Sequence, residues 1–318
     1  MKIVVVDGYA ANPGDLSWKN LESLGELTVY ERTAPEQLLS RIQDADVVVT
    51  NKVVLRAQTM DACRHLKLIA VMATGYNIID TQAARARQIT VCNIPAYSTA
   101  SVAQMTFALL LELTNHVGQH SAACHDGRWE KNPDFCFWLA PVAELQGKTM
   151  GIVGYGQIGQ AVGQIARAMG MKLLVCARHR RPELEGDACR YVELPQLLAQ
   201  SDVVSLHCPQ FAETSGMICK DTLAQMKDGA LLLNTSRGGL VVEQDVADAL
   251  ASGKLAGYAA DVVAVEPILA TNPLLTAPNC LLTPHIAWAS TEARTRLMAI
   301  LEDNIRAFAE GKPQNVVN

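Results

Sequence analysis

Short apolar runs alternate with amphipathic stretches from the first residues of the chain. Ile3–Asp7, Leu27–Tyr30, Asp46–Thr50, Lys67–Ala73 and Thr90–Asn93 read as strands of a parallel sheet, apolar on both faces. Between them, Thr33-Ala34-Pro35-Glu36 predicts a helix start, with Thr33 as cap, Pro35 in the first turn and Glu36 three residues after the cap. Asp80–Gln88 predicts another helix. The pattern breaks at Ile94–Thr99, where Pro95 cannot continue a helix and Ser98 or Thr99 can cap one. Val102–His116 is then long and mostly apolar, as expected of a buried connecting helix. Asp126–Leu145 reads as an irregular loop whose aromatics, Trp129, Phe135, Phe137 and Trp138, suit packing at a domain or subunit interface.

A second series starts at Lys148. Thr149–Gly154, Lys172–Ala177, Asp202–His207, Ala230–Thr235, Gly257–Val262 and Cys280–Thr283 are its expected strands. A last helix, about Thr291–Glu310, can return to the first series and make that domain discontinuous. Strands separated by helices place the chain in the α/β class, as two doubly wound parallel-sheet domains.

Composition narrows the partners. A length of 318 residues suffices for two domains, and 49% hydrophobic against 19% charged residues excludes a disordered chain. A net charge of −5 argues against nucleic acid or an anionic membrane as the partner. No apolar stretch approaches the roughly 18 residues of a membrane span, and Met1–Asp7 lacks the form of a signal peptide. Nine cysteines without Cys-x-x-Cys spacing read as reduced thiols of a cytoplasmic protein, with no metal site expected.

The most local chemical signal is Gly154-Tyr155-Gly156-Gln157-Ile158-Gly159. Three spaced glycines alone say little, but here an apolar strand enters and an amphipathic helix leaves. Gly154 would permit the turn, Gly156 the approach of a pyrophosphate and Gly159 close packing of helix on strand, with the anion at the helix N-terminus. The next strand ends Ala177-Arg178-His179-Arg180-Arg181, without the acid that would bind the ribose hydroxyls of NAD. A guanidinium there, Arg178 first, suits a 2′-phosphate, so NADP is favoured over NAD.

Three later residues follow the ends of consecutive strands: Arg237 after Leu231–Thr235, Glu266 after Asp261, and His285 after Thr283-Pro284. Reducing a 2-keto acid needs a proton donor and a cation for the carboxylate and carbonyl oxygens. His285 suits the first task and Arg237 the second, while Glu266 against the imidazole would orient it and favour its charged form.

With these segments the chain resembles the D-isomer-specific 2-hydroxyacid dehydrogenase family over nearly its whole length. The matching stretches are Gly151–Gly159, Ser201–Pro209, Met226–Gly239, Asp261–Pro267 and Thr283–His285. The resemblance implies a Rossmann dinucleotide-binding domain, about residues 99–287, inserted in a flavodoxin-like substrate domain formed by residues 1–98 and 288–318. It implies Arg237, Glu266 and His285 as the catalytic set, and a homodimer. It further places Thr106, Cys208, Pro209, Thr235 and Asp261 at the cofactor, and gives Thr74 and Gly75 the substrate carboxylate through their backbone N–H groups. Two departures stand out: Asn77-Ile78 in the substrate loop, and Val242 in place of a common acid, with Glu243 retained beside it. Within the family, Thr50–Val53 and Ala73–Asn77 are most similar to bacterial hydroxypyruvate reductases, also called glycerate dehydrogenases. Lys52 either faces a small polar substrate or lies on the surface, and Trp288 either closes the pocket or packs at an interface.

Reduction of hydroxypyruvate or glyoxylate is therefore the expected activity. The alternatives are an NADH-dependent dehydrogenase of a bulkier 2-keto acid, and a non-catalytic, cofactor-sensing regulatory protein. Formate or phosphite oxidation has no specialised residues to support it.

Overall fold

The computed structural model describes residues 1–186 and 189–318, and the chain packs into two compact units. One comprises Met1–Ser98 and Ala289–Asn318, the other Thr99–Trp288. Trp288, expected in the first unit, packs with the second.

In the first unit β1 (Lys2–Val5), β2 (Glu26–Val29), β3 (Val47–Thr50), β4 (Leu68–Val71) and β5 (Thr90–Cys92) pair in parallel, in the order β2-β1-β3-β4-β5. This is the flavodoxin-like doubly wound order. Val4, Val6, Val48 and Ile69 enter one cluster with Leu38 and Ile42. Their neighbours Ile3, Val5, Val47 and Val49 are equally inaccessible to solvent. Successive side chains of a strand point to opposite faces, so burial of both faces makes the runs continuously apolar.

One capping expectation fails. The helix Pro35–Ile42 is capped at Ala34, whose N–H donates to Gln37 Oε1 at 3.3 Å. The Thr33 hydroxyl instead donates to the Val6 carbonyl and accepts from Arg41 Nη1 at 2.7 Å, so bonds to the sheet end and to the helix displace the local cap. The helix expected at Asp80–Gln88 spans Thr81–Ala86, with Asp80 capping it through Ala83 N at 2.9 Å.

The C-terminal helix Thr291–Ala309, capped by Ser290, returns to this unit. Its Arg294 is 7% exposed and forks the Asp15 carboxylate at 2.7 and 2.6 Å. That pair holds the Asp15 carboxyl below its ordinary value. Asn304 donates to the Asn93 carbonyl at 2.9 Å. Polar contacts thus seat a segment that arrives some two hundred residues after the rest of the unit.

Among the described residues the second unit holds seven parallel strands: β6 (Thr149–Val153), β7 (Lys172–Cys176), β8 (Cys189–Tyr191), β9 (Val203–Leu206), β10 (Ala230–Asn234), β11 (Leu255–Ala260) and β12 (Cys280–Leu282). Their order is β12-β11-β10-β9-β6-β7-β8. Six were expected. β8, a Cys-Arg-Tyr edge strand, is too short and mixed to stand out. Neighbouring residues Leu173 and Leu174, Val203 and Val204, and Leu232 and Leu233 fall into separate core clusters on the two faces.

The connecting helix spans Thr99–Asn115, starting earlier than Val102, and a further helix, Val117–His125, was not anticipated. No helix among the described residues is long and apolar enough to cross a membrane. Strand order reverses at β6, which lies between β7 and β9. In such a sheet ligands bind outside the carboxyl ends of the strands, where the order reverses.

Candidate active site

The glycine turn lies at that reversal, between β6 and the helix Gln157–Ala168. Its three glycines have three distinct reasons. Gly154 has φ +91°, and a Cβ there would stand 2.6 Å from backbone atoms of His207 and Cys208. Gly159 presses on the turn itself, since a Cβ would meet the Gly154 carbonyl oxygen at 2.2 Å. A Cβ on Gly156 would meet nothing within 4 Å. The protein does not need glycine at 156 for its own packing. The open space beside the helix N-terminus is what a diphosphate requires, so these residues fit a dinucleotide. Ile158 packs into the core, while Gln157 is exposed at the first turn. The Tyr155 ring packs edge-to-face with Tyr191, with centroids 6.1 Å apart.

Beyond β7, Arg178 is exposed and its guanidinium lies 5.5 Å from the Phe211 ring centroid. Arg180 is engaged differently, donating to the Tyr191 carbonyl at 3.0 Å. On the neighbouring strand end, Cys208 is buried and its thiol is pushed up to about 11, as an inert packing residue. Pro209 follows it on the surface. Thr106, on the helix Thr99–Asn115, and Thr235, at the end of β10, share a buried hydroxyl–hydroxyl hydrogen bond of 3.0 Å.

The catalytic candidates follow the ends of β10, β11 and β12, adjacent strands of the sheet. His285 Nδ1 and Glu266 Oε2 are 2.7 Å apart, which joins two of the three. With Nδ1–H donated to the carboxylate, Nε2 is the ring atom left to exchange a proton with a substrate. Arg237 is exposed, and its Nη1 donates to the Ser236 carbonyl at 2.7 Å. A second histidine at a strand end, His207, cannot serve as the proton donor near neutral pH. Burial pushes its imidazole down to about 4.

Several residues hold the site in ways the apolar pattern does not mark, and Asp261, which the family resemblance places at the cofactor, is also a structural anchor. Asp261 is 1% exposed, and its carboxylate accepts from Thr283 Oγ1 at 2.6 Å, Ile286 N at 2.9 Å and Ala287 N at 2.7 Å. These bonds bracket His285, whose φ of +55° is left-handed and costs about 1 kcal/mol for a residue with a side chain. Asn234 shapes the Arg237 turn, donating to the Arg237 carbonyl at 2.8 Å and accepting from Ser236 N at 3.1 Å. Ser236 Oγ ties that turn to the end of β9 through the Cys208 carbonyl, 2.6 Å away. The one sign in the sequence was a polar residue closing each apolar run.

In the first unit, the loop after β4 carries Thr74 and Gly75. Thr74 donates its hydroxyl to the Ile94 carbonyl at 2.9 Å, and its own carbonyl accepts from Asn93 Nδ2 at 2.8 Å. Asp7 gathers the N–H groups of Asn51, Lys52 and Val53 at 2.7, 2.6 and 3.1 Å, which sets the backbone around Lys52.

Comparison with known proteins agrees with this layout. Residues 107–287 match the family model described as D-isomer specific 2-hydroxyacid dehydrogenase, NAD binding domain. The chain is 55% identical, over 100% of both chains, to a hydroxypyruvate reductase of Blautia hydrogenotrophica. It is 41% identical, over 92% of each, to a glycerate dehydrogenase of Methylorubrum extorquens. A crystal structure of a Thermus thermophilus protein superposes with a TM-score of 0.87 at 35% identity, covering 100% of both chains.

The glycines separate folding from binding. Gly156→Val should leave the unfolding midpoint nearly unchanged and weaken dinucleotide binding at least about tenfold, whereas Gly159→Val should lower the midpoint as well. Thermal unfolding and dinucleotide titration of both variants check this. Equal destabilisation by the two would contradict the open cradle at 156.

Proposed function

The chain belongs to the D-isomer-specific 2-hydroxyacid dehydrogenase family, and on that premise we propose that it reduces hydroxypyruvate or glyoxylate to the D-2-hydroxy acid, with NADPH favoured over NADH. The observation that carries this reading is the 2.7 Å His285–Glu266 pair, on the same sheet edge as the glycine turn. The relatives named hydroxypyruvate reductase and glycerate dehydrogenase describe one interconversion in its two directions.

A bound nicotinamide dinucleotide supplies the hydride. His285 gives the Nε2 proton to the carbonyl oxygen as it gains charge, and retakes it in the oxidative direction. Glu266 holds the ring through Nδ1 and stabilises the imidazolium before transfer. Arg237 binds the substrate carboxylate and polarises the carbonyl oxygen. Thr74 and Gly75 offer backbone N–H groups to the carboxylate. Thr106, Thr235, Cys208 and Pro209 are assigned to the dinucleotide. So is Asp261: a carboxylate has about four acceptor sites, and three internal hydrogen bonds leave one for a carboxamide.

Arg178 supports the choice of NADPH. It is exposed at the end of β7, where Ala177 stands in place of an acid. A second copy of the chain is the proposed partner. Trp129, Phe135 and Trp138 are 54%, 89% and 70% exposed, a concentration of aromatic surface that suits burial in a dimer.

The deciding measurement is the initial rate of NADPH and NADH oxidation with hydroxypyruvate, glyoxylate and pyruvate. Faster oxidation of NADPH with hydroxypyruvate is expected. A preference for a bulkier keto acid would overturn the substrate, and binding of dinucleotide without turnover of any keto acid would favour a sensor. Arg178→Ala should raise KM for NADPH about tenfold and leave that for NADH nearly unchanged; an equal change in both removes the phosphate role. His285→Gln should lower kcat at least about a hundredfold with dinucleotide affinity retained, and a near-normal kcat would exclude it as the proton donor. Light scattering should give a mass about twice 34.3 kDa, and the monomer mass would refute the dimer.

A further inference from the structure

Glu243 opens the helix Glu243–Ala251, six residues after Arg237, yet its side chain leaves the helix and reaches the loop that carries Glu266. Oε1 accepts from Ala264 N at 2.8 Å, and Oε2 accepts from Asn272 Nδ2 at 2.9 Å. Asn272 in turn accepts from Leu274 N at 3.0 Å, and Leu274 is 2% exposed in the core. The carboxylate therefore spans both ends of the loop and ties it to a buried anchor.

A second contact from the same segment bears on that loop. A Cβ on Gly238 would stand 1.9 Å from the Val263 carbonyl carbon, so the residue after Arg237 lies directly against the loop backbone. Val263 N points to Glu266 Oε1 at 3.3 Å. Residues 237–243 thus contain Arg237, press on Val263 through Gly238 and hold Ala264 and Asn272 through Glu243. Glu266 sits between these restraints, with its other oxygen on His285.

We propose that Glu243 is a positioning residue for the reaction, acting through Glu266 by fixing the Ala264–Asn272 loop against the segment that carries Arg237. This rests on the catalytic reading of the His285–Glu266 pair. A carboxylate accepts both bonds at once, whereas an amide presents a donor to one of two donors and must lose a bond. The cost is local, because the loop is surface-exposed and the helix core beyond Glu243 is formed by Val246, Ala247, Ala249 and Leu250. Loosening the loop moves Glu266 relative to the imidazole, and small displacements of a catalytic group are costly in rate.

The test is a double-mutant cycle on the full-length protein with hydroxypyruvate and NADPH. Glu243→Gln should lower kcat about tenfold, with dinucleotide affinity and unfolding midpoint within the range of a surface substitution. In a Glu266→Gln background the same change should have no further effect on kcat, because the residue it positions is gone. Glu243→Asp and Asn272→Ala, each able to keep one of the two contacts without setting a donor against a donor, should fall between wild type and Glu243→Gln. Multiplicative losses in the two backgrounds, or a loss confined to dinucleotide affinity, would overturn the proposal. The ring-nitrogen NMR shift of His285 reads the same coupling without turnover: Glu243→Gln should move it in the direction that Glu266→Gln does. An unmoved shift overturns the positioning role even in an active enzyme. Wild-type protein that turns over no keto acid would instead refute the proposed activity, with the shift still deciding the role of Glu243.

Discussion

Parallel strands buried on both faces must all present their carboxyl ends along one edge, and the arrangement of the second unit follows from that constraint. Helices cover both faces, so no side chain on the sheet can meet a ligand without leaving the core. Most of the candidate site residues therefore lie in the loops that follow the strands. The glycine turn follows β6, Cys208 follows β9, Arg237 follows β10, Asp261 and Glu266 follow β11, and His285 follows β12. Because β6 stands where the order reverses, the glycine turn lies at that reversal and the His285–Glu266 pair lies toward the β12 end of the same edge.

Loops placed in this way are not yet a site, since a loop costs entropy to hold still. The structure meets that cost with buried or half-buried carboxylates and amides that bind backbone rather than substrate. Asp261 secures three donors around His285, Asn234 and Ser236 secure the Arg237 turn, and Glu243 holds the Glu266 loop. Asp261 and Glu243 accept from backbone N–H groups, while Asn234 and Ser236 also donate to backbone carbonyls, so the restraint and the satisfaction of backbone polarity are one act. Asp7 performs the same service in the first unit for the backbone at Asn51–Val53.

The two histidines at strand ends show how location selects chemistry. His207 and His285 are the same residue type in similar sequence settings, each after an apolar strand. His207 is held neutral by burial, within reach of Ser205 Oγ at 2.8 Å. His285 is paired with a carboxylate at the surface of the sheet edge. Burial removes the first from proton exchange, and the second keeps a carboxylate partner and partial exposure.

The order of apolar runs was enough to determine the α/β class, two parallel sheets and, among the described residues, eleven of the twelve strands, because most of these strands are buried on both faces and so apolar along their length. Spacing alone also determined where the glycine turn and the three catalytic candidates would lie, since ligand-facing residues must follow strand ends. Tertiary structure alone decided which partners they find. Thr33 caps nothing because the Val6 carbonyl lies within its reach, and β8 exists because β7 offers it an edge. Gly156 is distinguished from Gly159 by the space around it, and from Gly154 by that space and by its ordinary backbone conformation. The anchoring bonds of Asp261 and Glu243 cannot be read from the sequence, because they depend on backbone N–H groups brought to them by residues twenty or more positions away. Hydrophobic periodicity is written locally, whereas hydrogen-bond partnership is a property of the folded chain.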